Sequence, residues 1–187
     1  GSMHNKEHRG NFEIAGLILQ ETVGDPYPQV VADRVLAPLG MGGGFVRSEL
    51  DPDVLASTVP SSDCRQRDPS LGYYGSIRDM ARLSQYVLQD RGEILTEQHH
   101  GALRANLHAA FWGSDFAGYG LDGSTTPSTL EVWWTFGHVD GYGYATFLFW
   151  HPSCPQEGAC QFGATVLVNA GRDPQALALA VAKLVDP

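Results

Sequence analysis

The sequence predicts an α/β protein of the α+β type, in which an antiparallel sheet follows a helical region. Up to about residue 107, apolar residues recur at helical spacing in segments bounded by capping residues and glycines. From Phe111 onward the chain changes to short aromatic and β-branched runs separated by turn residues, which is typical of an antiparallel meander. A final apolar segment after Pro174 predicts a C-terminal helix that backs the sheet.

The helical region contains three strong helix signals. The first helix is predicted to begin at Asn11, as its N-cap, and to stop at Gly24. A second helix follows and is ended by Pro38, which cannot continue the helical hydrogen bonds. Ser76 is predicted to cap the third helix, and Asp79, three residues later, completes a capping box.

Residues 40–44 form a glycine-rich stretch that could be mistaken for a phosphate-binding loop. Such a loop requires a strand before it and Lys-Ser/Thr directly after its glycines, whereas a helix precedes this stretch and Phe45 follows it. We therefore interpret it as a flexible turn between a helix and a short strand. Residues 48–71, rich in Pro, Ser and Asp, are predicted to form a long surface excursion.

Length and charge limit the domain organisation and the partners. The sequence has 187 residues, of which 43% are apolar, so we expect a single domain, or a large part of one, over residues 4–187. Residues 1–3 read as a vector scar ending in an initiating methionine. Acidic residues outnumber basic ones by 21 to 12, giving a net charge of -9, so nucleic acid is not an expected partner. No apolar run is long enough to span a membrane.

The three cysteines leave the redox compartment open. Cys154 and Cys160 lie on either side of a turn-forming segment, a spacing that suits a disulfide in a secreted or periplasmic protein. Two unpaired thiols in a cytosolic protein are the alternative. Cys64 has no evident partner in either case.

The strongest candidate for a site is the polar cluster of His138, Asp140 and Gly141, which precedes an aromatic, β-branched strand. Residues 138 and 140 of an extended strand share a face, so an imidazole and a carboxylate would converge there. Three interpretations stay open. The pair is a hydrogen-bonded strand entrance without catalytic work, the wall of a cleft that takes a small molecule or peptide, or a metal site that adds His151.

Seven aromatic residues lie around this cluster and could form a ligand platform. Because alternate positions of a strand face opposite sides of the sheet, we interpret the set instead as core and edge protection. Its members are Trp133, Trp134, Tyr142, Tyr144, Phe147, Phe149 and Trp150.

Three sets of segments, in this order, carry a resemblance to a known family: residues 11–19 with 37–41, residues 72–76 with 79–83, and residues 137–141 with strand ends at 151–152 and 168–169. Together they resemble the C-terminal half of the serine β-lactamase and penicillin-binding-protein-like family, especially its class C and esterase branch. The resemblance covers nearly all of this chain but about half of a family member. It implies an incomplete β-lactamase-like fold.

Members of that family hydrolyse amide or ester bonds through an acyl-enzyme, formed on a serine that a lysine three residues later activates. The resemblance implies that Gly141 supplies the backbone N–H that faces a substrate carbonyl oxygen. It also implies that His138 lines the cleft floor, with Asp140 beside it. No cofactor is implied.

The sequence departs from the family pattern where the chemistry is concentrated. Neither Lys6 nor Lys183 has a serine three residues before it, so Ser-x-x-Lys is absent. The Tyr-x-Asn motif is expected just upstream of Asn11, where the chain has Glu-His-Arg instead. The Lys/His-Thr-Gly box becomes His-Val-Asp at residues 138–140. We therefore expect no acyl-enzyme chemistry from this chain alone.

Three hypotheses about function follow. The chain is the C-terminal portion of a longer hydrolase whose N-terminal part supplies the nucleophile, a non-catalytic binding module, or a metal-dependent enzyme that uses His138 and Asp140. Half of a family fold should expose apolar surface where the missing elements would pack. A homo-oligomer or a missing N-terminal segment is therefore the expected partner for that surface.

Overall fold

The computed structural model describes residues 9–45, 73–89, 94–103, 108–109, 116–117, 122–125, 131–139, 142–150, 161–168, 176–177 and 180–181. The chain divides into two units, Gly1–Asp79 and Met80–Pro187, with the boundary inside the third helix. In its described residues the regular secondary structure of the first unit is helical, apart from one isolated β-bridge. The second unit holds the rest of the third helix, a short fourth helix and the sheet.

The first helix, α1, spans Arg9–Val23. It begins two residues before the predicted N-cap, so the prediction for Asn11 was wrong and this residue lies in the first turn of α1. The predicted end is confirmed, because Gly24 adopts a φ of 88° and donates its N–H to the carbonyl of Gln20 at 2.7 Å. A residue without Cβ takes this left-handed conformation without strain, which ends the helix.

Apolar residues occur on two sides of α1. The first side is packed, since Gly16 is buried and Val23 is half-buried there. The second side carries Ile14, Leu17 and Ile18, which are 59%, 58% and 61% exposed. Their i, i+3, i+4 spacing places these three side chains in one patch on the helix surface. We call Ile14, Leu17 and Ile18 the apolar patch of α1.

The second helix, α2, spans Tyr27–Val31 and continues as the π-helical turn Ala32–Leu36. The Gln20 side chain accepts the N–H of Tyr27 at 2.7 Å and so satisfies a free donor in the first turn of α2. The π-helical turn ends at Leu36, two residues before Pro38, which has no N–H to continue the helical hydrogen bonds. Val30, Leu36 and Met41 are buried and form the apolar core of this unit in the described residues.

The third helix, α3, spans Ile77–Gln89 and has one polar and one packed side. The exposed side is mostly polar and carries Arg78, Ala81, Arg82, Gln85 and Gln89. The opposite side buries Tyr86 at 5% exposure and Leu88 at 8%. The fourth helix, α4, spans Glu97–Leu103 and follows a loop in which Leu95 donates its N–H to the Tyr86 hydroxyl at 2.9 Å.

The sheet is an antiparallel meander of six strands in chain order, which confirms the prediction. Its strands are β1 His108–Ala109, β2 Phe116–Ala117, β3 Asp122–Thr125, β4 Glu131–Val139, β5 Tyr142–Trp150 and β6 Gln161–Val168. The three last strands are the longest and carry the pairing that defines the sheet.

A row of threonines crosses the three long strands. Thr135 pairs with Thr146, and Thr146 pairs with Thr165. The hydroxyls of Thr146 and Thr165 are 3.1 Å apart, and the hydroxyl of Ser84 on α3 lies 3.3 Å from that of Thr165. Ser84 and Thr146 are buried, so each satisfies its hydroxyl within this row. The packed side of α3 therefore lies on the threonine face of the sheet.

The seven aromatic residues of the sequence analysis lie on β4 and β5, where Trp134 pairs with Phe147 and Trp133 pairs with Leu148. Their interpretation as core and edge protection stays a prediction.

The described residues of the predicted C-terminal helix are helical: Ala176, Leu177, Ala180 and Val181. Their spacing places them on one side of the helix, and Leu177 and Val181 are 49% and 40% exposed. These four residues therefore do not form the side that would back the sheet.

Several predictions concern residues outside the described part of the chain. They are the excursion at 48–71, the cysteines 64, 154 and 160, and His151. Of the helices that the structure describes, none is both long and apolar enough to cross a membrane.

Candidate functional site

The predicted site lies at the tip of the β4–β5 hairpin. Val139 pairs with Tyr142, so two residues, Asp140 and Gly141, connect the strands. Both lie outside the described residues. Asp-Gly is a preferred sequence for a two-residue hairpin connection, because both positions tolerate a positive φ. The convergence of His138 with Asp140, and the N–H of Gly141 as a donor, therefore stay predictions.

The structure places His138 next to the last residue of β4, opposite Gly143 of β5. Gly143 in turn pairs with Val168 at the end of β6. Thr135, the β4 member of the threonine row, lies three residues earlier on the same strand.

The β4 strand extends beyond its neighbour β3 on the way to His138. The last pair between them joins Asp122 to Trp134. Ala117 pairs with Asp122, so the chain turns back toward β2 there. Among the described residues nothing pairs with residues 135–139 on that side of β4. Residues 118–121, which precede β3 in the sequence, lie outside the described residues.

A second polar cluster surrounds Asp79 at the start of α3. Its carboxylate accepts the N–H of Ser76 at 2.9 Å and the hydroxyl of Ser76 at 3.0 Å. The Ser76 hydroxyl in turn accepts the N–H of Asp79 at 3.1 Å, which confirms the predicted capping box. The same carboxylate accepts the N–H of Gly42 at 3.0 Å, and Asp79 is only 2% exposed. All of these hydrogen bonds are made within the first unit, so the cluster connects the loop at Gly42 to the start of α3.

The glycine-rich stretch at 40–44 is connected to this Asp79 cluster. The N–H of Gly42 is taken by Asp79, and Gly44 forms a two-way β-bridge with Tyr74, with N···O distances of 2.9 and 2.8 Å. A Cβ on Gly43 would overlap the hydroxyl of Tyr73. Gly43 is therefore required by close packing, and the N–H groups of Gly42 and Gly44 are used internally and do not face a phosphate.

Sequence reasoning missed Tyr73, which ends an aromatic stack in the first unit. Its ring packs edge-on against that of Phe45, with the ring centroids 5.7 Å apart, and the centroids of Phe45 and Tyr27 are 5.5 Å apart in a similar edge-on contact. The Tyr73 hydroxyl is buried and has no hydrogen-bond partner in the described structure. Burial, and secondly the charge of Asp79, raise the pKa of Tyr73 well above its ordinary value. This phenol is therefore a poor substitute for the tyrosine base that the family motif would supply.

The metal hypothesis is not decided by these residues. Within the described ranges, no three His, Cys, Asp or Glu side chains come together in a group that could hold a metal ion. Asp140 and His151 lie outside those ranges. A metal site at the hairpin tip stays a prediction.

A family model decides the relationship. Residues 8–185 match the model described as Beta-lactamase. The chain belongs to the β-lactamase family. This family is of the serine hydrolase type, and the sequence resemblance to it is confirmed. Curated protein sequences gave no match.

Solved structures agree with the family. The chain superposes on a penicillin-binding protein from Bacillus halodurans with a TM-score of 0.67 at 17% identity, covering 100% of this chain and 57% of that one. The octameric penicillin-binding protein homologue from Pyrococcus abyssi superposes with a TM-score of 0.72 at 20% identity, covering 95% of this chain and 42% of that one. D-amino acid amidase from Ochrobactrum anthropi SV3 superposes with a TM-score of 0.66 at 19% identity, covering 98% of this chain and 56% of that one. The chain therefore has a β-lactamase-like fold and spans about half the length of these relatives.

Proposed function

We propose that this chain is the C-terminal portion of a serine hydrolase that cleaves amide or ester bonds, and that it forms no acyl-enzyme by itself. The observation that carries the proposal is the absence of Ser-x-x-Lys from a sequence that otherwise matches the family model over residues 8–185. An acyl-enzyme requires a hydroxyl nucleophile with an activating base, and this chain has no such pair. The remaining part of the protein would supply both groups.

The apolar patch of α1 supports the first half of this proposal. Ile14, Leu17 and Ile18 are each more than half exposed, although α1 already has a packed side. A contiguous apolar patch on a second side of a helix is typical of a helix that is covered from both sides. Additional polypeptide, of the kind that fills close to half of each solved relative, would provide that cover.

The names of the relatives support the choice of reaction. One relative is a D-amino acid amidase, solved with L-phenylalanine amide, and another is the hydrolase EstCE1, which has promiscuous acyltransferase activity. Amide hydrolysis and acyl transfer share a tetrahedral intermediate, whose oxygen is stabilised by N–H donors. In our proposal the hairpin tip forms one wall of the cleft. Gly141 donates its N–H to the substrate carbonyl oxygen, and His138 lines the floor with Asp140 beside it.

Covalent labelling tests the proposal directly. We expect the 187-residue chain to bind neither a fluorescent penicillin nor a fluorophosphonate at one label per molecule. The longer product of the natural gene should be labelled on a serine upstream of Asn11. The same longer product after heat denaturation is the control for non-specific labelling. Stoichiometric labelling of a serine within the 187-residue chain would contradict the proposed division of the catalytic groups.

A non-catalytic binding module is the second candidate, and the changes in the family motifs favour it. Val139 and Asp140 replace the hydroxyl and the first glycine of the family box. The tyrosine position upstream of Asn11 is changed as well, to Glu-His-Arg. A gene that starts naturally at Met3 would favour the binding module over the hydrolase.

Two partners could cover the apolar patch of α1. The Pyrococcus abyssi homologue is octameric, so a second copy of this chain is one of them. The other is the remaining part of the same protein. We propose the second, because each copy carries a formal net charge of -9 that opposes self-association. Light scattering that gives a stable dimer of the 187-residue chain would favour the first.

A further inference from the structure

The part of the sequence that forms the sheet contains acidic residues but no lysine or arginine. All six strands fall within residues 105–171, and the nearest basic residues, Arg104 and Arg172, lie just outside the two ends of this stretch. The acidic residues within it are Asp115, Asp122, Glu131, Asp140 and Glu157. Apart from its histidines, the stretch therefore presents only negative formal charge to a ligand that binds beside the sheet.

One of these acids, Asp140, belongs to the connection between β4 and β5. Val139 pairs with Tyr142, so Asp140 and Gly141 are the two connecting residues. The hairpin itself does not require the charge, because Asn-Gly and Gly-Gly are also favoured two-residue connections. Asp140 also stands where the family box has a glycine. The negative charge at this position is therefore not explained by the turn.

Covalent geometry keeps the Asp140 carboxylate close to the N–H of Gly141. One peptide bond joins the two residues, so the carboxylate oxygens lie within about 6 Å of the Gly141 nitrogen in every rotamer. In the proposed function this N–H donates to the substrate carbonyl oxygen over about 3 Å. The carboxylate is then within about 9 Å of that oxygen, which is less than the screening length of about 10 Å at 0.1 M salt.

A fixed negative charge at this distance opposes the proposed reaction when the substrate is neutral or anionic. The tetrahedral intermediate carries a negative oxygen, which the Gly141 N–H stabilises and the Asp140 charge repels. A positive group on the acyl part of the substrate offsets this repulsion, because it attracts both the carboxylate and the negative oxygen. The free ammonium of an amino acid amide or ester is attached to the carbon next to the carbonyl and meets this requirement.

We propose that Asp140 is a specificity-determining residue that selects amides or esters whose acyl part carries a positive charge beside the scissile carbonyl. The inference rests on the proposed function, in which Gly141 binds the carbonyl oxygen and the rest of the protein supplies the nucleophile. Asp140 accepts charge-assisted hydrogen bonds from the ammonium group of the substrate. A substrate carboxylate at the same place is disfavoured, since this stretch has no lysine or arginine and Val139 has no hydroxyl to donate.

Three matched substrates test this charge preference in the longer gene product. They are alanine p-nitroanilide with a free ammonium, its neutral N-acetyl derivative and its anionic N-succinyl derivative, each as both enantiomers. We expect kcat/KM to fall by on the order of 10-fold from the first substrate to the second, and further for the third. The assay is run at about pH 7, where α-ammonium groups are mostly charged and imidazoles mostly neutral at their ordinary pKa values.

Two variants remove the charge and keep a favoured hairpin sequence. Asp140→Asn and Asp140→Gly should each lower kcat/KM for the ammonium substrate by on the order of 10-fold, without lowering it for the N-acetyl substrate. Asp122→Asn is the matched control, because Asp122 lies on the same sheet but pairs with Trp134, away from the hairpin connection. This control should leave the ratio between the substrates unchanged.

The outcomes separate this inference from the proposed function. Serine labelling of the longer product without faster hydrolysis of the ammonium substrate would overturn the inference alone. The same holds for a preference that survives both variants of Asp140, and for variants that lose stability while the substrate ratio stays unchanged. A longer product that shows neither serine labelling nor hydrolysis would contradict the proposed function, and this inference with it.

Discussion

The helices α1 and α3 are of similar length and are equally clear in the sequence, yet they differ in how much they bury. On α3 the polar residues gather on one side, and Tyr86 and Leu88 on the other side are buried. On α1, among the residues whose burial is described (11–23), Gly16 alone is buried, and Leu17 is 58% exposed. Both sequences specify a helix, but in the described residues α3 buries large side chains, whereas α1 packs one side around Gly16 and leaves a second apolar side exposed. Apolar periodicity thus predicts the element, whereas burial depends on which other elements are present.

The two helices also differ at their N-termini. The first turn of α3 is joined to the rest of its unit by the Asp79 cluster, in which one carboxylate serves three donors. No acidic residue lies in the first turn of α1. The start of α3 is therefore specified by tertiary contacts as well as by sequence. Removing the Asp79 carboxylate should lower the free energy of unfolding.

Asp79→Ala tests that difference and should have the largest effect. The substitution leaves the N–H of Gly42, and the N–H and hydroxyl of Ser76, without their acceptor. We expect a loss of about 3 to 4 kcal/mol in the free energy of unfolding, measured by urea titration. Asp33→Ala is the matched control, because Asp33 is exposed and accepts only a side-chain hydrogen bond from Gln29. A loss for Asp79→Ala as small as that of the control would contradict a structural role for the cluster.

Leu88→Ala and Leu17→Ala compare the packed helix with the exposed one. Leu88 is 8% exposed, so its truncation should leave a cavity and cost about 2 to 4 kcal/mol in unfolding free energy. Leu17 is 58% exposed and alanine favours a helix, so its truncation should cost less than about 1 kcal/mol in the 187-residue chain. In the longer gene product the cost at Leu17 should rise toward that at Leu88. Equal costs in the short chain would mean that the patch is already covered there.

The fold could be predicted from sequence to a useful extent, because its signals are local. The stop at Gly24, the capping box of Ser76 and Asp79, and the antiparallel meander each follow from the pattern of a few neighbouring residues. The start of α1 was misjudged, since the sequence offered Asn11 as a cap although the helix begins at Arg9. Such boundaries depend on contacts that a single residue does not reveal.

The site was less predictable, because it depends on register and on distant packing. The threonine row joins residues that are far apart in sequence, and only the strand register aligns them. The requirement for Gly43 is likewise set by Tyr73, whose ring occupies the space of a Cβ. At the hairpin tip the sequence predicts chemistry from His138 and Asp140, but Ser-x-x-Lys, the pattern that supplies the nucleophile and its base in the family, does not occur in this sequence.

Tyr73→Phe concerns the residues that lead into α3 and should have the smallest effect at neutral pH. The Tyr73 hydroxyl is buried without a hydrogen-bond partner in the described structure, so its removal ends a desolvation cost. We expect the variant to be as stable as the parent chain, or more stable by up to about 1 kcal/mol, in urea titrations. Tyr86→Phe is the matched control with the opposite sign. It removes the hydroxyl that accepts the N–H of Leu95 and should cost about 1 kcal/mol.

Alkaline pH should widen the difference between Tyr73→Phe and the parent chain. Burial and the charge of Asp79 raise the pKa of Tyr73 in the folded state, whereas in the unfolded chain it titrates near its ordinary value of about 10. Above that pH the unfolded state binds fewer protons than the folded state, so the parent chain loses stability as pH rises. The variant lacks this phenol and should lose less between about pH 9 and pH 11. Parallel stability curves for the two proteins across this range would show that the Tyr73 hydroxyl reaches solvent, or a partner, in the folded protein.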